Sequence, residues 1–353
     1  MKEPLIPDFN WQKHVVAPWG EDEISITLWI VLLAIFVITT CGLIGNYLIL
    51  RRMALVGDAI SHSVLAGIAV VVVAPVMLNL NSVHVSTTAM LIGALVAGVL
   101  TTVIIEVIHR YSRVKQDAAI GIAFTSLFAV GVVLITLKVN NSHIDTECIL
   151  YGDMIYVISE KSSTPLNLEL ADTLGKLPLS GVFIEGNRLV LVNGVLRMGV
   201  LTLVVAILIW AFYKELLVSS FDPDLAFSLG INSTVVHYTL MALLSLVVVS
   251  AFESVGAILV VAMLILPGAT AHLITARLPV IFLLTVIHAI LCSLIGYHIS
   301  AWLDCSIAGA MVVASTMLFT LAWLFSPHDG LLGKLIRRRQ IPSKMPPPLT
   351  DAG

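Results

Sequence analysis

The residues best suited to chemistry in this chain are Asp58 and His62, in the stretch Gly57-Asp58-Ala59-Ile60-Ser61-His62. Four residues apart, they share one face of any helix that contains them. A carboxylate beside an imidazole is a mixed oxygen and nitrogen donor set. It suits manganese, iron or zinc better than magnesium or copper(I). The same pair also fits a structural Asp–His contact between helices, and spacing alone leaves both readings open. Glu253, in Phe252-Glu253-Ser254-Val255-Gly256, is a candidate third ligand or gate, or else an interfacial carboxylate in water. His237, His272, His288 and His298 stand singly and read as hydrogen-bonded structural histidines. Glu106 and Arg110 stand four apart and read as a local ion pair.

Other chemistry is excluded by what the chain lacks. It has no G-x-x-x-x-G-K-[ST] loop, so it does not itself hold ATP in the P-loop manner. It has no H-E-x-x-H motif for a zinc protease. Cys41, Cys148, Cys292 and Cys305 form no C-x-x-C pair and read as small buried thiols. No permanently bound cofactor is expected. No basic cluster points to nucleic acid, and Arg337-Arg338-Arg339 reads as an anchor at a membrane face.

Composition fixes the solvent in which these residues are placed. The 353 residues are 58% hydrophobic and 12% charged, with mean hydropathy +1.02. A soluble domain carries about 25% charge, so most of this chain must face lipid. Apolar runs of about 17–25 residues read as membrane-spanning helices. Nine occur, near 27–50, 54–78, 87–108, 118–138, 195–213, 234–251, 255–276, 279–301 and 305–325. The expected fold is an all-α polytopic transmembrane helix bundle. Counted from Met53 at about 1.5 Å per residue, His62 lies ~14 Å into the second run, near the middle of a ~30 Å core. A charge at that depth costs about 2.5–3.5 kcal/mol, which marks intramembrane Asp58 as a functional candidate.

Charge gives an orientation. Arg51, Arg52, Arg110, Arg113, Lys115, Lys214, Arg277 and the basic tail from Lys334 fall on one side of a nine-span chain. Basic loops stay in the cytoplasm, which places the N-terminus outside and the C-terminus inside. Residues 1–25 are polar, contain Glu21-Asp22-Glu23 and do not look like a signal peptide.

Local signals refine this plan. Ala59, Ser63 and Gly67 recur every four residues in the second run, and Ala89, Gly93 and Ala97 in the third. Such stripes let helix backbones approach closely. The segment 157–194 is polar and turn-rich. Within it, Val182-Phe183-Ile184 and Arg188 to Val192 read as two short strands around Glu185-Gly186-Asn187. The apolar stretch around 148–158 is short enough to dip into the membrane without crossing. Phe221-Asp222-Pro223-Asp224 is a helix start, with a capping Asp, Pro at the first position and an acid in the first turn. The tail with Pro346-Pro347-Pro348 reads as disordered.

Arg51-Arg52-Met53-Ala54-Leu55-Val56 followed by Gly57-Asp58-Ala59-Ile60-Ser61-His62-Ser63-Val64-Leu65-Ala66-Gly67 closely resembles the signature of the metal ABC permease family. Ala66 stands where members commonly carry Pro, which implies a straighter helix here. Three further stretches resemble the family in order. They are Leu150-Tyr151-Gly152-Asp153, the segment Lys214 to Ile231, and Val255-Gly256-Ala257-Ile258-Leu259-Val260 continuing to Pro267-Gly268-Ala269-Thr270-Ala271. The resemblance implies a permease subunit importing manganese, zinc or iron across the bacterial cytoplasmic (inner) membrane. It implies a separate ABC ATPase, a second permease copy or paralogue, and an extracytoplasmic metal-binding protein as partners. Phe221, Asp222, Pro223, Asp224 and Gly230 then belong to the ATPase coupling segment 214–232. On this plan 1–26 is extracytoplasmic, 27–326 is the permease domain with an outer insert at 157–194, and 327–353 is a cytoplasmic tail. The alternative is an ion-coupled secondary metal transporter that uses Asp58 and His62 as a proton relay.

Overall fold

Long apolar runs satisfy their backbone polar groups internally only as helices when water is absent. The computed structural model describes residues 7–20, 24–77, 87–138, 161–165, 184–185, 188–326 and 330. Each of the nine expected runs is a helix. They are α1 (Ile24–Leu50), α2 (Leu55–Met77), α3 (Thr87–Tyr111), α4 (Gln116–Lys138), α5 (Asn193–Ala211), α8 (Ser233–Val255), α9 (Ala257–Ile274), α10 (Leu278–Leu303) and α11 (Ile307–Phe325). Two short helices, α6 (Tyr213–Phe221) and α7 (Pro223–Ser228), fill the segment between α5 and α8. Among the described residues, eight helices are long and apolar enough to cross a membrane. α9 has 18 residues and is apolar over its described side chains, Leu259–Ile274.

α9 touches α1, α2, α8, α10 and α11. Its Val260, Met263 and Leu264 are buried. It therefore sits inside the bundle rather than against lipid. α1 is the other interior helix, apolar on every side as a buried helix must be. It is enclosed mainly by α5, α9 and α10. Polar pairs fix its contacts: Thr40 and Thr202 share a 2.6 Å hydrogen bond, and Asn46 Nδ2 donates to Thr285 Oγ1 at 3.0 Å. Between α8 and α9 the chain reverses on Gly256 alone, at φ 78° and ψ 166°, a conformation open essentially only to glycine.

The two small-residue stripes face each other, as their spacing predicts. Thr101 Oγ1 donates to Ser63 Oγ at 2.6 Å across the α2–α3 interface. A Cβ added to Gly67 would strike the Gly93 carbonyl and come within 2.8 Å of the Ala97 methyl. Overpacking of this kind costs about 1–3 kcal/mol. Gly67→Ala is accordingly expected to lower the thermal unfolding midpoint of the detergent-solubilised protein. An unchanged midpoint would show that the helices can separate at no cost. α2 runs unbroken through Ala66, where Gly131 of α4 packs directly on the backbone.

At the opposite end of α1, residues 7–20 lie along the last turns of α10. Trp19 Nε1 donates to His298 Nε2 at 3.3 Å, which leaves His298 Nδ1 to donate to the His14 carbonyl at 3.0 Å. Trp302 Nε1 donates to the Pro7 carbonyl at 2.9 Å. His298 is thus structural, as is His288, which bonds Ser315 at 2.7 Å. Cys41 and Cys292 are buried thiols as expected, whereas Cys305 is exposed; Cys148 lies outside the described residues.

The expected hairpin is present, with β2 (Ile184–Glu185) antiparallel to β3 (Arg188–Val192). β1 (Lys161–Pro165) adds to the other edge of β3, giving the order β1-β3-β2. β1 lies in the polar, turn-rich part of 157–194, where Lys-Ser-Ser-Thr-Pro carries no strand signal of its own. The stretches 148–158 and 150–153, and the tail beyond 330, lie outside the described residues.

Candidate metal site and docking helix

The first turns of α2 place the candidate ligands. Gly57 leaves room there for Leu264 of α9, whose backbone in turn packs on Gly45 of α1. Ser61 Oγ donates back to the Gly57 carbonyl at 3.0 Å. Ala59, Ile60 and Ser63 are buried and hold one face of α2 against its neighbours. The other face carries Asp58 and His62. Their side chains are 35% and 45% exposed, and Asp58 Oδ1 lies 3.4 Å from His62 Nε2. The expected shared face is therefore real, and both groups remain open to a ligand. Asp58 sits in the first helical turn, where the helix dipole favours a carboxylate. α2 begins at Leu55, one residue after the expected start of this run.

Two α4 aromatics border the imidazole. The Phe124 and Phe128 rings lie 5.7 and 5.9 Å from that of His62, the second edge-on. They restrict the ring without occupying its nitrogens. Among the described residues, no group of three His, Cys, Asp or Glu side chains gathers into a metal cage. Glu253 belongs to the last turn of α8, and its side chain lies outside the described residues.

The second site is α7. Asp222 Oδ1 accepts from the backbone N–H groups of Asp224 at 3.1 Å and Leu225 at 3.0 Å, with Pro223 at the first position. Gly230, at φ 79°, closes the other end. Its N–H bonds the Phe227 carbonyl, and the Ile231 N–H bonds the Ala226 carbonyl, a Schellman stop. The resemblance-derived residues Asp222, Pro223, Asp224 and Gly230 thus define where this helix starts and stops. Phe221, Leu225, Phe227 and Leu229 are 67%, 49%, 81% and 61% exposed. An apolar knob on a six-residue helix is unexplained by the chain's own packing.

A third cluster escaped the sequence reading. Arg51, just past α1, donates from Nη2 to Ser219 Oγ at 2.8 Å and from Nε to Ser220 Oγ at 3.1 Å. Its Nη1 lies 3.3 Å from His237 Nδ1. Burial pulls the guanidinium below its ordinary pKa, an effect partly offset by Tyr47. His237 Nε2 lies 3.7 Å from Glu106 Oε2. Glu106 therefore faces α8, and the expected Glu106–Arg110 pair gives way to it. The partners are 168 to 186 residues from Arg51, beyond any local pattern.

Comparison with known proteins settles the lineage of this arrangement. The model of the ABC 3 transport family matches residues 23–164 and 182–326. The chain belongs to the ABC 3 transport family. As a family member it is a multi-pass membrane protein and a transport component rather than an enzyme. This ABC 3 chain is 39% identical over 313 residues to the manganese transport system membrane protein MntD of Bacillus subtilis, covering 89% of this chain and 96% of that one. It is 35% identical over 315 residues to the zinc transport system membrane protein TroD of Treponema pallidum, covering 89% and 78%. Among solved structures it resembles PsaBC from Streptococcus pneumoniae in complex with Fab, with TM-score 0.65 and 29% identity over 92% of this chain and 98% of that one.

Proposed function

We propose that this chain is the transmembrane permease subunit of an ABC importer for a divalent metal cation, manganese, zinc or iron. It acts in the bacterial cytoplasmic membrane, N-terminus outside and C-terminus inside. The observation that carries the reading is the open Asp58–His62 pair on α2, two hard-to-borderline donors facing the same way. Two ligands bind weakly enough to release the ion, as conduction requires. Glu253 is proposed as a further ligand or gate on sequence grounds. Cargo ions are held in passing, with no resident cofactor.

The exposed apolar knob of α7 supports a separate energy source. An amphipathic helix of this kind lays its apolar face into a partner's groove, and the partner proposed is an ABC ATPase. A second permease subunit and an extracytoplasmic metal-binding protein complete the assembly, with 157–194 on the outer face. A secondary transporter has no use for the α7 knob. The test is uptake into proteoliposomes holding the chain with its ATPase. Metal uptake is expected to need ATP and to persist when ionophores collapse proton and sodium gradients. Uptake without ATP, abolished by ionophores, would establish the secondary transporter instead.

A further inference from the structure

We infer that Arg51 is the positioning residue through which movement of the docking segment reaches the α2 helix that bears Asp58 and His62. The inference rests on the reading of α7 as the ATPase dock. Ser219 and Ser220 form the last turn of α6, directly before the Asp222 cap of α7. Both hydroxyls accept from the Arg51 guanidinium. A displacement of the docking segment is therefore transmitted to Arg51.

The link from Arg51 to α2 has no slack. The Arg51 N–H bonds the Tyr47 carbonyl, the Arg52 N–H bonds that of Ile49, and the Met53 N–H bonds that of Leu48. Arg52 takes the left-handed conformation at φ 58°. This is a hydrogen-bonded helix stop, closed on itself. α2 begins at Leu55, with Asp58 in its first turn. Force on Arg51 thus reaches the Asp58 carboxylate through a locked turn rather than a flexible loop.

The remaining side of the guanidinium is clamped to the bundle. A guanidinium only donates, so His237 Nδ1 accepts and the ring proton lies on Nε2. That proton faces Glu106 of α3. Arg51 thereby joins α1, α6, α8 and α3 at one point. A planar fork can hold such divergent acceptors, whereas a point-charge lysine cannot.

The test compares Arg51→Gln with the double variant Ser219→Ala, Ser220→Ala, each reconstituted with the ATPase and metal-binding protein. Membrane level, ATPase association and ATP hydrolysis are expected to survive. Metal imported per ATP is expected to fall about tenfold in Arg51→Gln, the loss of a charged hydrogen-bond set, and by a smaller factor in the serine variant. A wild-type ratio in both would overturn the inference. Loss of ATPase association in Arg51→Gln would also overturn it, because the arginine would then merely shape the dock. If Arg51→Gln fails to insert, the serine variant decides alone, and its wild-type ratio is the overturning result. Failure of the docking reading is a separate outcome, seen when glycine substitution at 222–224 leaves the ATPase bound.

Discussion

Asp58→Asn is expected to abolish metal uptake while the protein still inserts and still binds its ATPase. The amide keeps the size of the carboxylate and a hydrogen-bonding oxygen. It removes the charge and the better oxygen ligand. Loss of a group that merely supports a metal ligand costs about 10–100-fold in affinity or activity, so loss of a ligand itself is expected to exceed that. His62→Leu removes the imidazole and remains compatible with lipid, and the same loss is expected. The structural alternative makes a different prediction. If the pair only ties α2 to its neighbours, asparagine still reaches a partner, and any loss tracks protein level. The exposure of both side chains and the absence of a tight 2.7–2.9 Å contact between them argue for ligation. Well-expressed variants with normal uptake of manganese, zinc and iron would remove the site. Because neither ligand is a thiolate, the three metals are expected to fall together, leaving selectivity to the extracytoplasmic partner.

The second large effect is expected at α7. Replacing Asp222, Pro223 and Asp224 with glycine removes the capping carboxylate, a loss of a few tenths of a kcal/mol, and places residues about 1 kcal/mol worse than alanine in the first turn. A six-residue helix has no margin to absorb this. The knob of Phe227 and Leu225 then loses its geometry. The ATPase is expected to dissociate on purification, and uptake to vanish with it. Binding measured by co-purification separates this from a loss of metal binding at Asp58. A variant that retains both association and uptake would show that α7 docks nothing.

The spans were legible because lipid imposes one rule on all of them, and their apolar runs carry it openly. The α2 and α3 stripes were legible for the same reason, since small residues every four positions have few other uses. The start of α7 was legible too, because Asp222 acts on backbone groups two and three residues away. What stayed hidden is long-range. The best apolar windows of α1 and α3 are equally hydrophobic, yet α1 is largely buried in the bundle and α3 largely exposed, so window hydropathy does not tell the two positions apart. The strand β1 owes its state to β3, more than twenty residues away. Arg51 read as a topological charge because a serine hydroxyl near position 220 leaves no trace beside it. Asp58 and His62 were found from their types and spacing, while their openness to solvent required the packing of Ala59, Ile60 and Ser63 on the far side.

The enclosed position of α9 bears on how the membrane itself acts on the protein. Its 18 residues span about 27 Å, against a hydrocarbon layer of about 30 Å. A helix bathed in acyl chains would answer that shortfall by thinning the bilayer. α9 packs mainly on other helices of the bundle instead. Hydrophobic mismatch therefore acts on the perimeter, on helices such as α3 and α5 whose Val96, Val103, Leu203 and Ile207 face outward. Bilayers of different thickness would tilt those helices and leave the contact of Leu264 with Gly57 undisturbed.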